Sequence, residues 1–377
     1  MSRVLFNPGP TNTRASTKQA LVVDDMSHRA PGFRAVLAQV REAVPRLLGG
    51  AREYEAVLFA CSGTGAIEAA VNCLHGPVLA LVTGYYSERM AQIAERAQLP
   101  VQRMRFGTFE GVDPEAVAAR LDASPELRSL VFVHHETATG VLTPLAELSR
   151  LAAERGVLTL ADTISSVGAH PLALDTEGPD VVTVTANKGL EAVPGVSFVV
   201  GRRQVLENAR PGQSYYFDIA RQLHAQRDAE VPFTVPVQVV CALAEALGHY
   251  ERETPAGRAA RYALSAGILR TGLEERGFRL VELPAERRSS VVVPVRLPAG
   301  LDYERVRAEL DSLGIEIYTP PDAVTAGYFF LAVMGQVGHA DIAACLDAFT
   351  AACARQGCPP GGPLAPARYE ATAEAAV

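Results

Sequence analysis

The stretch Val182-Thr-Val-Thr-Ala-Asn187-Lys188-Gly189 ends an apolar, β-branched run on a lysine. Lysine occurs only at positions 18 and 188 of the 377 residues, and arginine supplies the rest of the 35 basic side chains. Charge alone does not account for Lys188, since arginine carries charge at least as well. What lysine adds is a primary amine that can lose its proton and attack a carbonyl. A solvated or salt-bridged lysine is the plainer alternative, and the neighbouring residues have to decide between them.

Working outward, similar apolar runs occupy 56–60, 78–83, 130–134, 158–161, 181–185 and 197–200, and amphipathic stretches such as 145–155 fill most of the gaps. Continuous apolar strands alternating with helices predict an α/β fold with a mostly parallel sheet covered on both faces. Ligands bind beyond the carboxyl ends of the strands in such sheets, so the polar residues just after each run are the candidates. From about residue 236 the pattern turns helical, over 237–250 and 256–276. Short runs at 279–281, 290–296 and 327–333, with helices at 303–314 and 340–355, read as a small α+β unit. The expected organisation is an N-terminal segment, 1–15, reaching the active site; a large domain, 16–250; a small C-terminal domain, 251–356; and a disordered tail, 357–377, rich in Pro, Gly and Ala.

Three of the runs lead into residues with chemical potential. Cys61-Ser62-Gly63-Thr64-Gly65 opens a predicted helix over 66–74, and its glycines, hydroxyls and free N–H groups suit a phosphate. Taken alone it is also an ordinary strand-to-helix turn. Asp162 ends the run 158–161 and is followed by Thr163-Ile164-Ser165-Ser166; it reads either as a helix cap or as a carboxylate facing a protonated pyridine nitrogen. Lys188 ends the next run. Phosphate cup, carboxylate and amine, each after a strand, is the order needed to hold pyridoxal phosphate, in which a protonated ring draws electrons from a bound amine.

Beyond these residues the chain resembles the class V aminotransferases of the fold-type I pyridoxal-phosphate enzymes, nearest their 2-aminoethylphosphonate:pyruvate aminotransferase branch. The resemblance rests on Leu5-Phe-Asn-Pro-Gly-Pro-Thr11, Ser27-His-Arg-Ala-Pro-Gly-Phe33, Ser62-Gly-Thr-Gly65, Gly84-Tyr-Tyr86, His134-His-Glu-Thr-Ala-Thr-Gly140, Ala161-Asp-Thr-Ile-Ser-Ser166, Ala186-Asn-Lys-Gly189 and Pro194-Gly195. It implies Lys188 as the Schiff-base lysine and Asp162 as partner of the pyridine nitrogen, with Ser62, Gly63 and Thr64 on the phosphate. It further implies Tyr86 stacked on one ring face, Ile164 near the other, Thr137 near the phenolic oxygen, and Thr234 reaching the phosphate of a neighbouring subunit. A homodimer with active sites at its interface follows from the same resemblance. Gly9, Arg29 and Phe330 are the candidates for substrate contact. At Phe330 the family usually has an arginine that grips the substrate's acid group, and phenylalanine cannot make those charge-assisted bonds.

The balance of 35 basic against 42 acidic residues, net charge −7, marks the chain as neither a nucleic-acid nor a membrane-surface binder. No signal-peptide core precedes Pro8, and no apolar run approaches a membrane span, so a cytoplasmic location is expected. Six scattered cysteines without zinc spacing predict reduced thiols and no metal. The expected activity is amino transfer between a small amine, 2-aminoethylphosphonate-like or an amino acid, and an oxo acid such as pyruvate, by a ping-pong mechanism. A pyridoxal-phosphate lyase or carbon–carbon bond-forming enzyme, suggested by Phe330, and a non-enzymatic phosphate-binding protein are the alternatives.

Overall fold

A computed structural model of the chain describes residues 3–211 and 214–368. Seven strands build the central sheet: β1 (Tyr54–Phe59), β2 (Val78–Val82), β3 (Val101–Arg105), β4 (Ser129–Val133), β5 (Leu158–Asp162), β6 (Val181–Thr185) and β7 (Ser197–Arg202). Their spatial order is β1-β7-β6-β5-β4-β2-β3. Strand β7 runs antiparallel to both of its neighbours, and the remaining pairs are parallel. Alternation along each strand feeds two separate cores. Leu130 and Phe132 of β4 face one, Val131 and Val133 the other, which is why such strands carry no polar face.

The covering helices include α1 (Pro31–Leu47), α2 (Gly63–Ala70), α3 (Tyr85–Arg96), α4 (Leu145–Ala153) and α5 (Val237–Glu253), whereas α6 (Pro255–Glu275) sends Ala266, Leu269 and Leu273 into the core of the C-terminal unit. Helix α2 begins at Gly63, three residues earlier than the sequence pattern indicates, so the glycines of the cup lie in its first turn. The edge strand β3, Val-Gln-Arg-Met-Arg, had no counterpart among the apolar runs. Three of its five residues are polar, all but the exposed Arg105 are half-buried, and Arg103 pairs with Glu88 and Glu95 of α3, a charged edge of the kind that discourages pairing with a second sheet.

Beyond α6, β8 (Val292–Arg296) pairs antiparallel with β9 (Tyr328–Ala332), and α7 (Tyr303–Ser312) and α8 (His339–Arg355) enclose a third core around Phe329, Leu331 and Phe349. The run at 279–281 forms only a single bridge, Leu280 to Val295, where a strand was expected. The chain's beginning is stitched to this unit: Val4 and Leu5 pair parallel with Ile315 and Glu316, and Asn12 bridges Gly335. The expected disorder of the tail is corrected for residues 357–368. Ala299 donates to the Pro363 carbonyl at 2.9 Å, Ala365 to Leu297 at 2.8 Å and Arg368 to Ala326 at 2.9 Å, so backbone pairing holds the Pro- and Gly-rich stretch against the small unit. Residues 369–377 lie outside the described residues. Among the described residues no helix is long and apolar enough to cross a membrane.

Candidate active site

The candidate groups lie where the sheet rule places a ligand, beyond the carboxyl ends of β4, β5 and β6. Asp162 is the last residue of β5 and almost fully buried. Its Oδ1 accepts from the Ile164 N–H at 2.8 Å and from the Thr183 hydroxyl at 3.4 Å. Burial lifts its carboxyl to about 6, against the pull of those two donors and of the Lys188 and Arg89 charges. Lys188, just past β6, shows the complementary shift: removal from water lowers its amine to about 8, and Asp162 is the charge that opposes the fall. Each group therefore disfavours its own charge and stabilises the other's.

Glycines make room around Lys188. At Gly9, φ +138°, a Cβ would stand 2.5 Å from Lys188 Cδ and 2.9 Å from its Nζ, so the N-terminal segment lies directly against the amine. The Thr11 hydroxyl donates to the Lys188 carbonyl at 3.3 Å. A Cβ at Gly189 would stand 1.9 Å from the Val167 carbonyl oxygen, a clash between two stretches of backbone. Gly189→Ala is accordingly expected to cost about 3 kcal/mol or more, read as a fall in thermal midpoint and in soluble yield.

The cup is built from α2. Ser62 is its N-cap and its hydroxyl makes no capping bond, Gly63 allows Ile164 to approach within 2.6 Å of where a Cβ would be, and Thr64 Oγ1 accepts from Arg89 Nη1 at 3.3 Å. The Arg89 guanidinium also lies 4.8 Å from the Tyr85 ring centre and 5.1 Å from that of Tyr86, which places a cation at the cup. Tyr86 is partly buried on the first turn of α3, and its position is set by Glu136. That fully buried carboxylate accepts from the Tyr86 and Ser87 N–H groups at 3.1 Å each and from the Ser87 hydroxyl at 3.0 Å. Glu136→Ala removes the acceptor of the Tyr86 and Ser87 N–H groups, while the Ser87 hydroxyl keeps the Gly84 carbonyl at 3.0 Å; a loss of about 2–4 kcal/mol, measured by denaturant unfolding, is expected.

Thr137 donates to the Ser165 hydroxyl at 2.6 Å. Beside it His135, almost fully buried, pairs its Nδ1 with the Ser165 carbonyl at 3.0 Å while its Nε2 is buried without a partner. A carbonyl only accepts, so Nδ1 carries the proton and Nε2 offers a lone pair; burial lowers this imidazole to about 4 and keeps it neutral. Sequence reading quoted His135, Glu136 and Arg89 or passed over them without a role. A histidine or glutamate next to a strand end has many structural uses, and only contacts between distant residues single these out.

Gly9 lies against Lys188, Gly63 against Ile164, and the Ile164 N–H donates to Asp162, so these residues gather at the strand ends with Ser62 and Thr64 at the start of α2, Tyr86 on α3 and Thr137 past β4. Thr234 is exposed on the segment before α5, and Arg29 is exposed in the turn before α1. Phe330 is 2 % exposed on β9, packed with Ala169, Tyr262, Val291, Val292, Ala332 and Met334, and its N–H donates to the Thr319 hydroxyl at 3.1 Å. Its ring sits in an apolar cluster and offers no group to hold an acid.

A buried amine and a buried carboxylate near neighbouring strand ends, with the N-terminus of α2 close by, are groups that suit a phosphorylated pyridine aldehyde. The aminotransferase class-V family model matches residues 12–333. A 2-aminoethylphosphonate–pyruvate transaminase of Syntrophobacter fumaroxidans is 32 % identical over 345 residues, covering 89 % of this chain and 91 % of its own. One from Pseudomonas aeruginosa is 33 % identical over 355 residues, 90 % of this chain and 92 % of its own. Among solved structures, a subgroup IV aspartate aminotransferase from Thermus thermophilus superposes with a TM-score of 0.84 at 30 % identity, over 93 % of this chain and 99 % of that one. A pyridoxamine-pyruvate aminotransferase from Mesorhizobium loti, 23 % identical, shares the fold with a TM-score of 0.87 over 95 % of this chain and 94 % of that one. The chain belongs to the class V aminotransferases: it is a pyridoxal-phosphate-dependent transaminase of fold type I.

The residues present fit that cofactor. The uncapped Ser62 hydroxyl and the helix N-terminus suit its phosphate, Asp162 its ring nitrogen and Lys188 its aldehyde, and the orphaned His135 Nε2 shows that a polar group is still to be met nearby.

Proposed function

We propose that the chain moves an amino group between a small primary amine, of the aminophosphonate or amino-acid kind named for its relatives, and a 2-oxo acid such as pyruvate, in two half-reactions with ping-pong kinetics. The observation that carries this reading is the opposed pair Asp162 and Lys188, each buried and each shifted toward neutrality by loss of water. When bound, pyridoxal phosphate supplies an aldehyde that captures the amine and a protonated ring that draws electrons from the neighbouring carbon.

The chain's own groups do the rest. Ser62, Gly63 and Thr64 anchor a phosphate with hydroxyl and N–H donors, helped by Arg89. The Asp162 carboxylate stabilises a positive ring nitrogen and so keeps it protonated. With its amine near 8, Lys188 is neutral often enough at physiological pH for Nζ to take a proton from the substrate carbon and return it. Tyr86 and Ile164 keep water off the two ring faces, and Thr137 and His135 supply polar groups at its edge. Because Phe330 offers no cation, the substrate's acid group must find one elsewhere, and Arg89 at the cup or Arg29 from the surface turn are the candidates.

The reading includes a homodimer with its active sites at the interface. The exposed Val22, Tyr85 and Tyr215, at 88, 56 and 68 %, give apolar surface for it, and the exposed Thr234 would reach the partner's phosphate cup. Light scattering that returns a monomer at micromolar concentration overturns this part.

The test of the whole is a spectral screen of cofactor-loaded protein against amines, amino acids and aminophosphonates without any oxo acid. Conversion of the bound cofactor to pyridoxamine phosphate is expected, with borohydride labelling Lys188 in the resting protein. Release of ammonia, or of a new carbon–carbon adduct, instead identifies a lyase or bond-forming enzyme, and an unlabelled Lys188 removes the assignment.

A further inference from the structure

The turn after Lys188 is tied to the small unit by buried charge. Glu191 sits at φ +58°, a left-handed backbone that costs a residue with a side chain about 1 kcal/mol or more, and it is 2 % exposed. Its N–H donates to the Lys188 carbonyl at 2.9 Å. Its Oε1 accepts from Arg261 Nη2 and from the Tyr262 hydroxyl, each at 2.6 Å, and its Oε2 from Gln336 Nε2 at 2.5 Å. The fully buried Arg258 donates from Nη1 to the Gly189 carbonyl at 2.9 Å, binds Glu253 through Nε at 2.8 Å, and holds Nη2 3.9 Å from Glu191.

The same side chains reach the turn just past β9. Arg261 Nη1 donates to the Gly335 carbonyl at 3.0 Å, and the Tyr262 hydroxyl accepts from the Gly335 N–H at 3.1 Å. From there the Gln336 N–H returns to the Asn12 carbonyl at 2.8 Å, and Thr11, next in the chain, donates to the Lys188 carbonyl at 3.3 Å. A closed circuit therefore runs from Lys188 through Glu191, Tyr262, Gly335 and the N-terminal segment back to Lys188.

A strained backbone and a desolvated carboxylate are costly ways to gain stability alone, since apolar residues of similar volume usually do as well. We propose that Glu191 is a positioning residue: it fixes the Lys188 turn to the small unit so that the reacting amine keeps one place relative to the N-terminal segment and the turn after β9. The proposal rests on Lys188 carrying the cofactor, as above.

The test uses pyridoxal phosphate and hydroxylamine as probes on the full chain. Glu191→Ala is expected to weaken cofactor retention about tenfold, to shift the absorbance band of the bound cofactor and to speed its stripping by hydroxylamine about tenfold, the equivalent of one lost buried hydrogen bond. Glu191→Gln keeps an oxygen for Tyr262 and Arg261 and is expected to stay within about threefold of the unaltered protein. Tyr262→Phe, which preserves shape and is less exposed to misfolding, gives a smaller change of the same sign. An unmoved band and unchanged stripping in Glu191→Ala and Tyr262→Phe overturn the proposal, as does a lowered thermal midpoint in either with the band unmoved. Borohydride labelling of Lys188 in the unaltered chain separates this failure from failure of the site assignment, because labelling survives the first and not the second.

Discussion

Lys188→Ala and Lys188→Arg are expected to abolish borohydride labelling and to lower amino transfer by about 10⁴-fold or more, since each removes both the attachment point and the amine that moves the proton. The arginine variant is the sharper of the two. Guanidinium keeps the charge beside Asp162 but cannot lose its proton at any working pH, so activity that survives in it refutes a role for the free amine. Circular dichroism that matches the unaltered protein shows that the loss is chemical. Part of the cofactor is expected to remain bound through its phosphate, because Ser62, Gly63 and Thr64 do not depend on Lys188.

The second large effect is that of Asp162→Asn. Two unit charges about 4 Å apart at an effective dielectric of 20 interact by roughly 4 kcal/mol, which sets the expected fall in rate at about 10³-fold once the ring nitrogen loses its counter-charge. Stability moves the opposite way in the cofactor-free protein. The Asp162 carboxyl titrates at about 6 when folded and 3.8 when free, so the folded chain bears the full cost of a desolvated charge above pH 6 and none below 3.8. Asparagine keeps an oxygen for the Ile164 N–H while removing that charge. Its thermal midpoint is therefore expected to exceed that of the unaltered protein above pH 6, by at most about 3 kcal/mol of unfolding free energy, and to match it at pH 3.5. A rate within tenfold of the unaltered enzyme, or a midpoint lower at pH 7, contradicts the role given to this carboxylate.

How much of this was legible in the chain depended on whether the signal was local. Strands β1, β2 and β4 to β7 could be read because a sheet covered on both faces demands unbroken apolar runs, and the residues that close β5 and β6, Asp162 and Lys188, followed from where such runs stop. Strand β3 could not, because at the edge of the sheet Gln102, Arg103 and Arg105 break the apolar run. The ordered stretch 357–368 was misread for a related reason: proline and glycine report on intrinsic stiffness and freedom, and say nothing of the carbonyls at Leu297 and Ala326 that the stretch meets. Glu136, His135 and Glu191 are distinguished by what surrounds them. Glu136 meets its donors 49 and 50 residues away, and Glu191 its partners 70, 71 and 145 residues away, separations that no window along the chain spans.

The apolar setting of Phe330 bears on attempts to re-engineer the enzyme for a chosen acid. Writing arginine into position 330 would place a guanidinium in a cluster otherwise made of Ala169, Tyr262, Val291, Val292, Ala332 and Met334. An ion buried without a counter-ion is penalised by several kcal/mol, more than its grip on a substrate would return. A useful redesign has to be compound, pairing the new cation with an acidic or amide neighbour on β8 and trimming volume nearby, which makes this preference hard to reverse one codon at a time.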